Sequence, residues 1–181
     1  MINFKNKTIL ITGNGSFAHA MIEYLINTEV KEIRIYSRNE EKQVETERKY
    51  NDSRLKFILG DIRDYKTLFK ALMGVDYCIH SGALKHVKKC EENPIEAKSI
   101  NIDGSENVIL ACINNNVEKL VCLSTDKASN ACTTYGTTKY MMERLIVGVD
   151  KKNTTITMTR YGNVAGSSGS VIPYFKQLAS E

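Results

Sequence analysis

The amino-acid sequence predicts an α/β fold, one parallel sheet of six or more strands wound with helices on both faces. Six short apolar, β-branched runs recur along the 181 residues. Stretches with helical spacing lie between them, and a glycine-rich turn follows the first run directly. Near-continuous apolar strands belong to sheets covered on both faces, the arrangement that strand–helix alternation produces. A length of 181 residues suits a single domain.

The elements follow in order. "TILIT" from Thr8 leads into "TGNGSFA", and Phe17 to Asn27 then places Phe17, Met21, Tyr24 and Leu25 on one helical face. "EIRIYS" from Glu32 and "LKFILG" from Leu55 are the second and third strands. Tyr65 to Leu72 sets Leu68, Phe69 and Leu72 on one face, and "DYCIHS" from Asp76 is the fourth strand. The longest helix is expected from Pro94, favoured at a first helical position, with Asn93 as its cap. It runs through Ile100, Val108 and Cys112 to the "NNN" stop at Asn114. "KLVCLST" from Lys119 and "TITMTRYG" from Thr155 complete the set. No repeat, low-complexity tract or linker divides the chain, so one domain is expected over residues 1–181.

Composition narrows the function. The 25 basic and 21 acidic side chains alternate in sign, and the net charge of +4 does not suggest a nucleic-acid partner. "KHVKK", Lys85 to Lys89, lacks interleaved aromatics and reads as a solvated helix start. Cys78, Cys90, Cys112, Cys122 and Cys132 form no CxxC pair and are expected as reduced, buried thiols of a soluble, cytoplasmic protein. No apolar run reaches membrane length. His19, His80 and His86 lack metal-ligand spacing and read as structural or solvated, so no metal is expected.

After the first strand, Gly13, Gly15 and Ala18 satisfy GxGxxA between a strand and a helix, the context that a dinucleotide-binding turn needs. Gly13 allows the tight turn, Gly15 lets backbone approach a pyrophosphate, and Ala18 lets helix and strand pack closely. The helix N-terminus adds N–H groups and a positive dipole. The expected fold is therefore a Rossmann-like doubly wound sheet. Where an acid would hold an NAD ribose stand Ser37 and Arg38, with Lys42 one helical turn on. An arginine there suits a 2′-phosphate and points to NADP, the alternative being a solvated loop arginine. "GDIRD" then sets Asp61 and Ile62 beside the adenine.

"YGTTK" places Tyr135 and Lys139 four apart on one helical face. An ammonium beside a phenol lowers its pKa from about 10 toward neutrality, making a base for a hydroxyl proton. With the glycine turn upstream and "ST" closing the fifth strand, this is the equipment of alcohol oxidation by NADP. Adjacent Asp126 and Lys127 form an ion pair by default.

Together, GxGxxA, "GDIRD", "ALKHV", "STDKA", "YGTTK" and "RYGNVAGSSGSVIPYF" resemble the extended short-chain dehydrogenase/reductase superfamily. More narrowly, the chain resembles the UDP-N-acetylglucosamine 4,6-dehydratase (inverting) family, which makes a 4-keto-6-deoxy sugar nucleotide for pseudaminic acid biosynthesis. The resemblance spans essentially the whole sequence. Membrane-associated retaining relatives and certain epimerases typically carry methionine at Tyr135, so the tyrosine favours the soluble inverting branch.

The resemblance implies roles. Tyr135, assisted by Lys139 and hydrogen-bonded by Thr125, takes the O4 proton as NADP accepts hydride from C4. Lys127 removes the C5 hydrogen, and Asp126, if protonated, delivers a proton to the departing O6 hydroxyl. Hydride returns to C6, and C5 is reprotonated from the opposite face. Ser16, Phe17, Ser81, Lys85 and Val164 join the cofactor contacts, and Lys85, Ser124 and Asn163 meet the UDP-sugar. Lys85 and Asn163 have a loop-stabilising alternative. Asn101 orders the active-site backbone or is surface. A homo-oligomer is implied.

The chain departs from the family pattern in four places. The glycine turn is one residue shorter than TGxxGxxG and lacks the last glycine. Ser81 and Gly82 replace an alanine pair, and Ala131 stands where the family has proline. Family members also continue beyond "SVIPYF" with a nucleotide-sugar-binding region, which is expected to be missing here. A non-catalytic NADP-binding or oligomerising module is the second expectation, as is a related epimerase or dehydratase.

Overall fold

The structure, a computed structural model, describes residues 3–165 together with Phe175, Leu178 and Ala179. The "GSSGSVIPY" part of the last motif lies outside the described residues. Strands β1 (Thr8–Thr12), β2 (Glu32–Ser37), β3 (Leu55–Leu59), β4 (Tyr77–His80), β5 (Lys119–Thr125) and β6 (Thr155–Tyr161) form one parallel sheet in the order β3-β2-β1-β4-β5-β6. The order reverses at β1, opening a crevice between β1 and β4 at their carboxyl ends, where ligands of doubly wound sheets bind.

Side-chain alternation along β1 divides the core. Ile9 and Ile11 join Ile33, Ile35, Ala18, Ile22 and Leu25 on one face. Leu10 joins Leu68, Leu72, Val108, Cys112, Leu120, Cys122 and Met142 on the other. Helix α1 (Ser16–Leu25) therefore covers the sheet with Ala18, Ile22 and Leu25. Tyr24, expected on that face, is 56% exposed, its ring edge-on to Phe4.

Helix α2 (Glu40–Tyr50) has no apolar stripe, and its buried residues are Gln43 and Thr46. Asn39 caps it by accepting from Lys42 N at 2.8 Å. Helix α3 (Tyr65–Ala71) is capped by Asp64 and buries Leu68. The short α4 (Val87–Glu92) precedes the longest rod, which is built of α5 (Pro94–Lys98), a π-helical turn (Ser99–Asp103) and α6 (Gly104–Asn114).

Asn93 does not cap this rod with its side chain; Nδ2 donates back to Lys89 O at 3.0 Å, closing α4. Helix α7 (Thr134–Gly148) follows β5. Its Met142 is core, whereas Tyr140 and Met141 are exposed. Four cysteines are buried, and Cys132 is exposed, contrary to expectation. Among the described residues no helix is long and apolar enough to cross a membrane.

Candidate active site

The glycine turn leaves β1 with Gly13 at φ +88°, where a Cβ would also stand 3.2 Å from Gly82 Cα. Gly15 is different. It is extended, a Cβ there would meet nothing within 4 Å, and no side chain caps α1. An open backbone at an uncapped helix start is a cradle that fits a pyrophosphate. Asn14 reaches sideways from the turn to α2.

Beneath the turn runs a buried polar chain. Thr12 Oγ1 lies 2.7 Å from His80 Nδ1, His80 Nε2 lies 2.9 Å from Ser105 Oγ, and Ser105 Oγ donates to Asn101 O at 2.7 Å. Burial, and then the Lys139 charge, push His80 down to about 3, so it is a neutral structural histidine. Ser81 Oγ donates to Thr12 O at 2.6 Å. Asn101, fully buried in the π turn, accepts from Leu84 N at 2.8 Å and donates to Leu84 O at 2.9 Å and Thr138 Oγ1 at 3.0 Å. It thereby fixes the loop carrying exposed Lys85 against α7.

Just past the carboxyl ends of β2 and β3, Arg38 Nη1 lies 3.5 Å from Asp61 Oδ2. Arg63 grips the same carboxylate at 2.6 to 3.1 Å and, with burial opposing, holds it below the usual range. Asp61 thus enters the site already paired. Ser37 accepts from Gln43 Nε2 at its carbonyl (3.0 Å) and hydroxyl (2.9 Å). Ile62 is turned inward against Gly104, so its side chain is buried. Lys42, the third residue of α2, is exposed in its first turn.

The stretch from Ser124 to Lys139 begins at the carboxyl end of β5. A 3-10 turn (Asp126–Ala128) follows Thr125. Asp126 Oδ1 accepts from Thr125 Oγ1 at 2.9 Å, Lys127 N at 2.9 Å and Lys127 Nζ at 3.1 Å. Thr125, and then Lys127, keep Asp126 below its ordinary value. The default ion pair is what forms, and the protonated acid is not the resting state. Lys127 Nζ also donates to Asn163 Oδ1 at 3.3 Å, which brings these two expected residues together. Val164 is next in chain and exposed.

Helix α7 starts hard against this turn. A Cβ on Gly136 would lie 2.4 Å from Lys127 O, so only glycine permits the approach. Thr133 Oγ1 accepts from Gly136 N at 3.1 Å, and Glu91 of α4 accepts from Thr134 N and Oγ1 at 2.7 Å each.

Tyr135 is pushed up by burial, against a hydrogen bond from Thr125 that favours the phenolate. Lys139, 3% exposed, points its Nζ at Met142 Sδ, 3.3 Å away, and burial pushes it down to about 8, with Cys122 and Glu143 opposing. The expected lowering of the phenol by Lys139 is therefore overturned, because the ammonium is drawn into the core side of α7.

Ser124 is also corrected. It is 2% exposed and its hydroxyl donates to Glu143 beneath the strand, so it does not face a sugar. Glu143, unremarked in the sequence, also accepts Arg160 Nε at 2.8 Å and Arg160 Nη2. Arg160 Nη1 donates to Ser129 Oγ at 3.3 Å. One buried carboxylate thus ties β5, β6 and the end of the 3-10 turn to α7. Its only signal was its place four residues after Lys139.

The polysaccharide biosynthesis protein profile matches residues 9–181. A UDP-N-acetylglucosamine 4,6-dehydratase (inverting) of Campylobacter jejuni is 44% identical, over 98% of this chain and 55% of the relative. A UDP-glucose 4-epimerase of Rickettsia felis is 45% identical, over 95% of this chain and 53% of the relative. The X-ray structure of Pen from Bacillus thuringiensis matches with a TM-score of 0.96 and 38% identity, over 99% of this chain and 57% of that one. The chain spans about half the length of the curated relatives it matches.

Proposed function

The chain belongs to the polysaccharide biosynthesis protein family of extended short-chain dehydrogenases/reductases, and on that premise we propose that it carries the NADP-dependent, C5-inverting UDP-N-acetylglucosamine 4,6-dehydratase chemistry of nucleotide-sugar biosynthesis. The observation that carries this reading is the convergence of Thr125, Asp126, Lys127 and Tyr135 at the end of β5, beside the β1–β4 crevice and the Gly13–Ala18 turn.

The Gly15 cradle would hold the pyrophosphate, Arg38 and Lys42 a 2′-phosphate, and Lys85 and Val164 the nicotinamide end. Bound there, NADP would supply reversible hydride acceptance, which leaves the net reaction a dehydration. Tyr135 takes the O4 proton, with Thr125 donating to the phenolate. The carbonyl so formed at C4 acidifies the C5 hydrogen, which Lys127 removes as the base. Asp126 protonates the departing O6 hydroxyl once a sugar separates it from Lys127 and desolvation raises its pKa. Asn163, already on Lys127, orients that base. The same reading makes the protein a soluble, cytoplasmic homo-oligomer.

The test incubates the chain with NADP and UDP-N-acetylglucosamine and follows products by NMR. A 4-keto-6-deoxy sugar nucleotide is expected, and Lys127→Ala should abolish it. NADP binding without any such product would instead support a non-catalytic module. A C4 epimer without loss of water would support the second reading, a UDP-sugar 4-epimerase, which the 45% identical relative favours.

A further inference from the structure

The phosphate turn of this chain is fastened sideways. Asn14 stands between the two turn glycines, and its Nδ2 donates to Lys42 O and to Thr46 Oγ1, each at 2.9 Å. Thr46, 1% exposed, donates to Lys42 O at 2.6 Å and lies 3.3 Å from Asn14 Oδ1. One amide and one buried hydroxyl therefore join the turn to the start of α2. That start follows directly on Arg38, and its cap, Asn39, accepts from Lys42 N.

A dinucleotide with a 2′-phosphate has two anionic ends at a set separation. One end belongs to the turn and α1; the other belongs to Arg38 and Lys42. Two elements that shift independently must be ordered on binding, and that ordering lowers affinity. We infer that Asn14 and Thr46 are a positioning pair for cofactor choice, holding Arg38 and Lys42 at a fixed distance from the pyrophosphate turn so that both ends of NADP are met together. The inference rests on the NADP reading above.

Calorimetric titration of the chain with NADP and with NAD tests this without any need for turnover. Asn14→Ala and Thr46→Val should each lower NADP affinity about tenfold, the worth of about one hydrogen bond, while NAD affinity stays within about threefold. Thr46→Ser, which keeps the hydroxyl, should keep NADP affinity. In an Arg38→Ala, Lys42→Ala background Asn14→Ala should cost less than half as much, because its effect runs through those two cations. Equal losses for both cofactors, an unchanged NADP-to-NAD ratio in Thr46→Val, or full additivity with the Arg38→Ala, Lys42→Ala pair overturns the pairing alone. If the unaltered chain binds neither cofactor or prefers NAD, the NADP reading falls, and this inference with it.

Discussion

The Lys139 ammonium lies 3.3 Å from the Met142 thioether sulfur, one turn along the buried side of α7. The unfolded chain keeps this proton to about pH 10.5, whereas the folded chain releases it near 8. Folding is therefore penalised fully below pH 8, and the penalty is relieved as pH rises from 8 to 10.5. Lys139→Met should stabilise the fold at neutral pH by on the order of 2–3 kcal/mol, with the gain shrinking above pH 10. Urea unfolding that shows an equal gain at both pH values would refute a buried ammonium.

The Thr125 hydroxyl has one proton and two acceptors, Asp126 Oδ1 and the Tyr135 phenolate. Thr125→Val should move the Tyr135 titration to still higher pH, because burial then acts unopposed by that hydrogen bond. The readout is phenolate absorbance, with Tyr135→Phe as the reference. It should also raise the Asp126 carboxyl, visible by carboxyl-carbon NMR. If neither midpoint moves, the hydroxyl does not serve these groups.

Glu143→Gln removes the buried charge that gathers Ser124 and Arg160, at a cost on the order of 2 kcal/mol in unfolding free energy. Arg160, and then Ser124, hold this carboxyl below 4.5, with burial opposing. Its stabilisation is thus present above about 4.5 and is lost as pH falls through the folded value. Wild type and variant should converge in acid. Thermal melts that keep a constant gap down to about pH 3 contradict the assignment.

His80 is a source of acid sensitivity. Its imidazole charges near 6.5 in the unfolded chain and near 3 in the folded one, so stability falls as pH drops between those values. The full loss is on the order of 4–5 kcal/mol. His80→Gln, whose amide can still meet Thr12 and Ser105, should flatten this limb in acid denaturation. An unchanged acid midpoint excludes His80 as its cause.

The strands were legible because each is a contiguous apolar run, and the Tyr135–Lys139 spacing because it is local. Helix α2 was not legible, since what it buries is Gln43 and Thr46, which hydropathy reads as surface. Nor was the direction of Lys139. A four-carbon stem can turn toward Tyr135 or toward Met142, and packing on the sheet decides between them. The Glu143–Arg160 pair is separated by 17 residues, so it exists only once β6 is laid beside β5. The same holds for Asn14 and Thr46, which are 32 residues apart.

The π turn at Ser99–Asp103 works as a phase shifter. One extra residue in a helix rotates everything beyond it by about 100°. Upstream of the turn, Ala97 is the buried residue of α5; downstream, Val108, Ile109 and Cys112 lie against the sheet. Deleting a single residue there would leave a plain α-helix of nearly the same composition, yet it would swing Asn101 away from Leu84 and Thr138 or drag α6 off the sheet. The rod changes its facing at this turn, so one element serves both the core and the loop before α4.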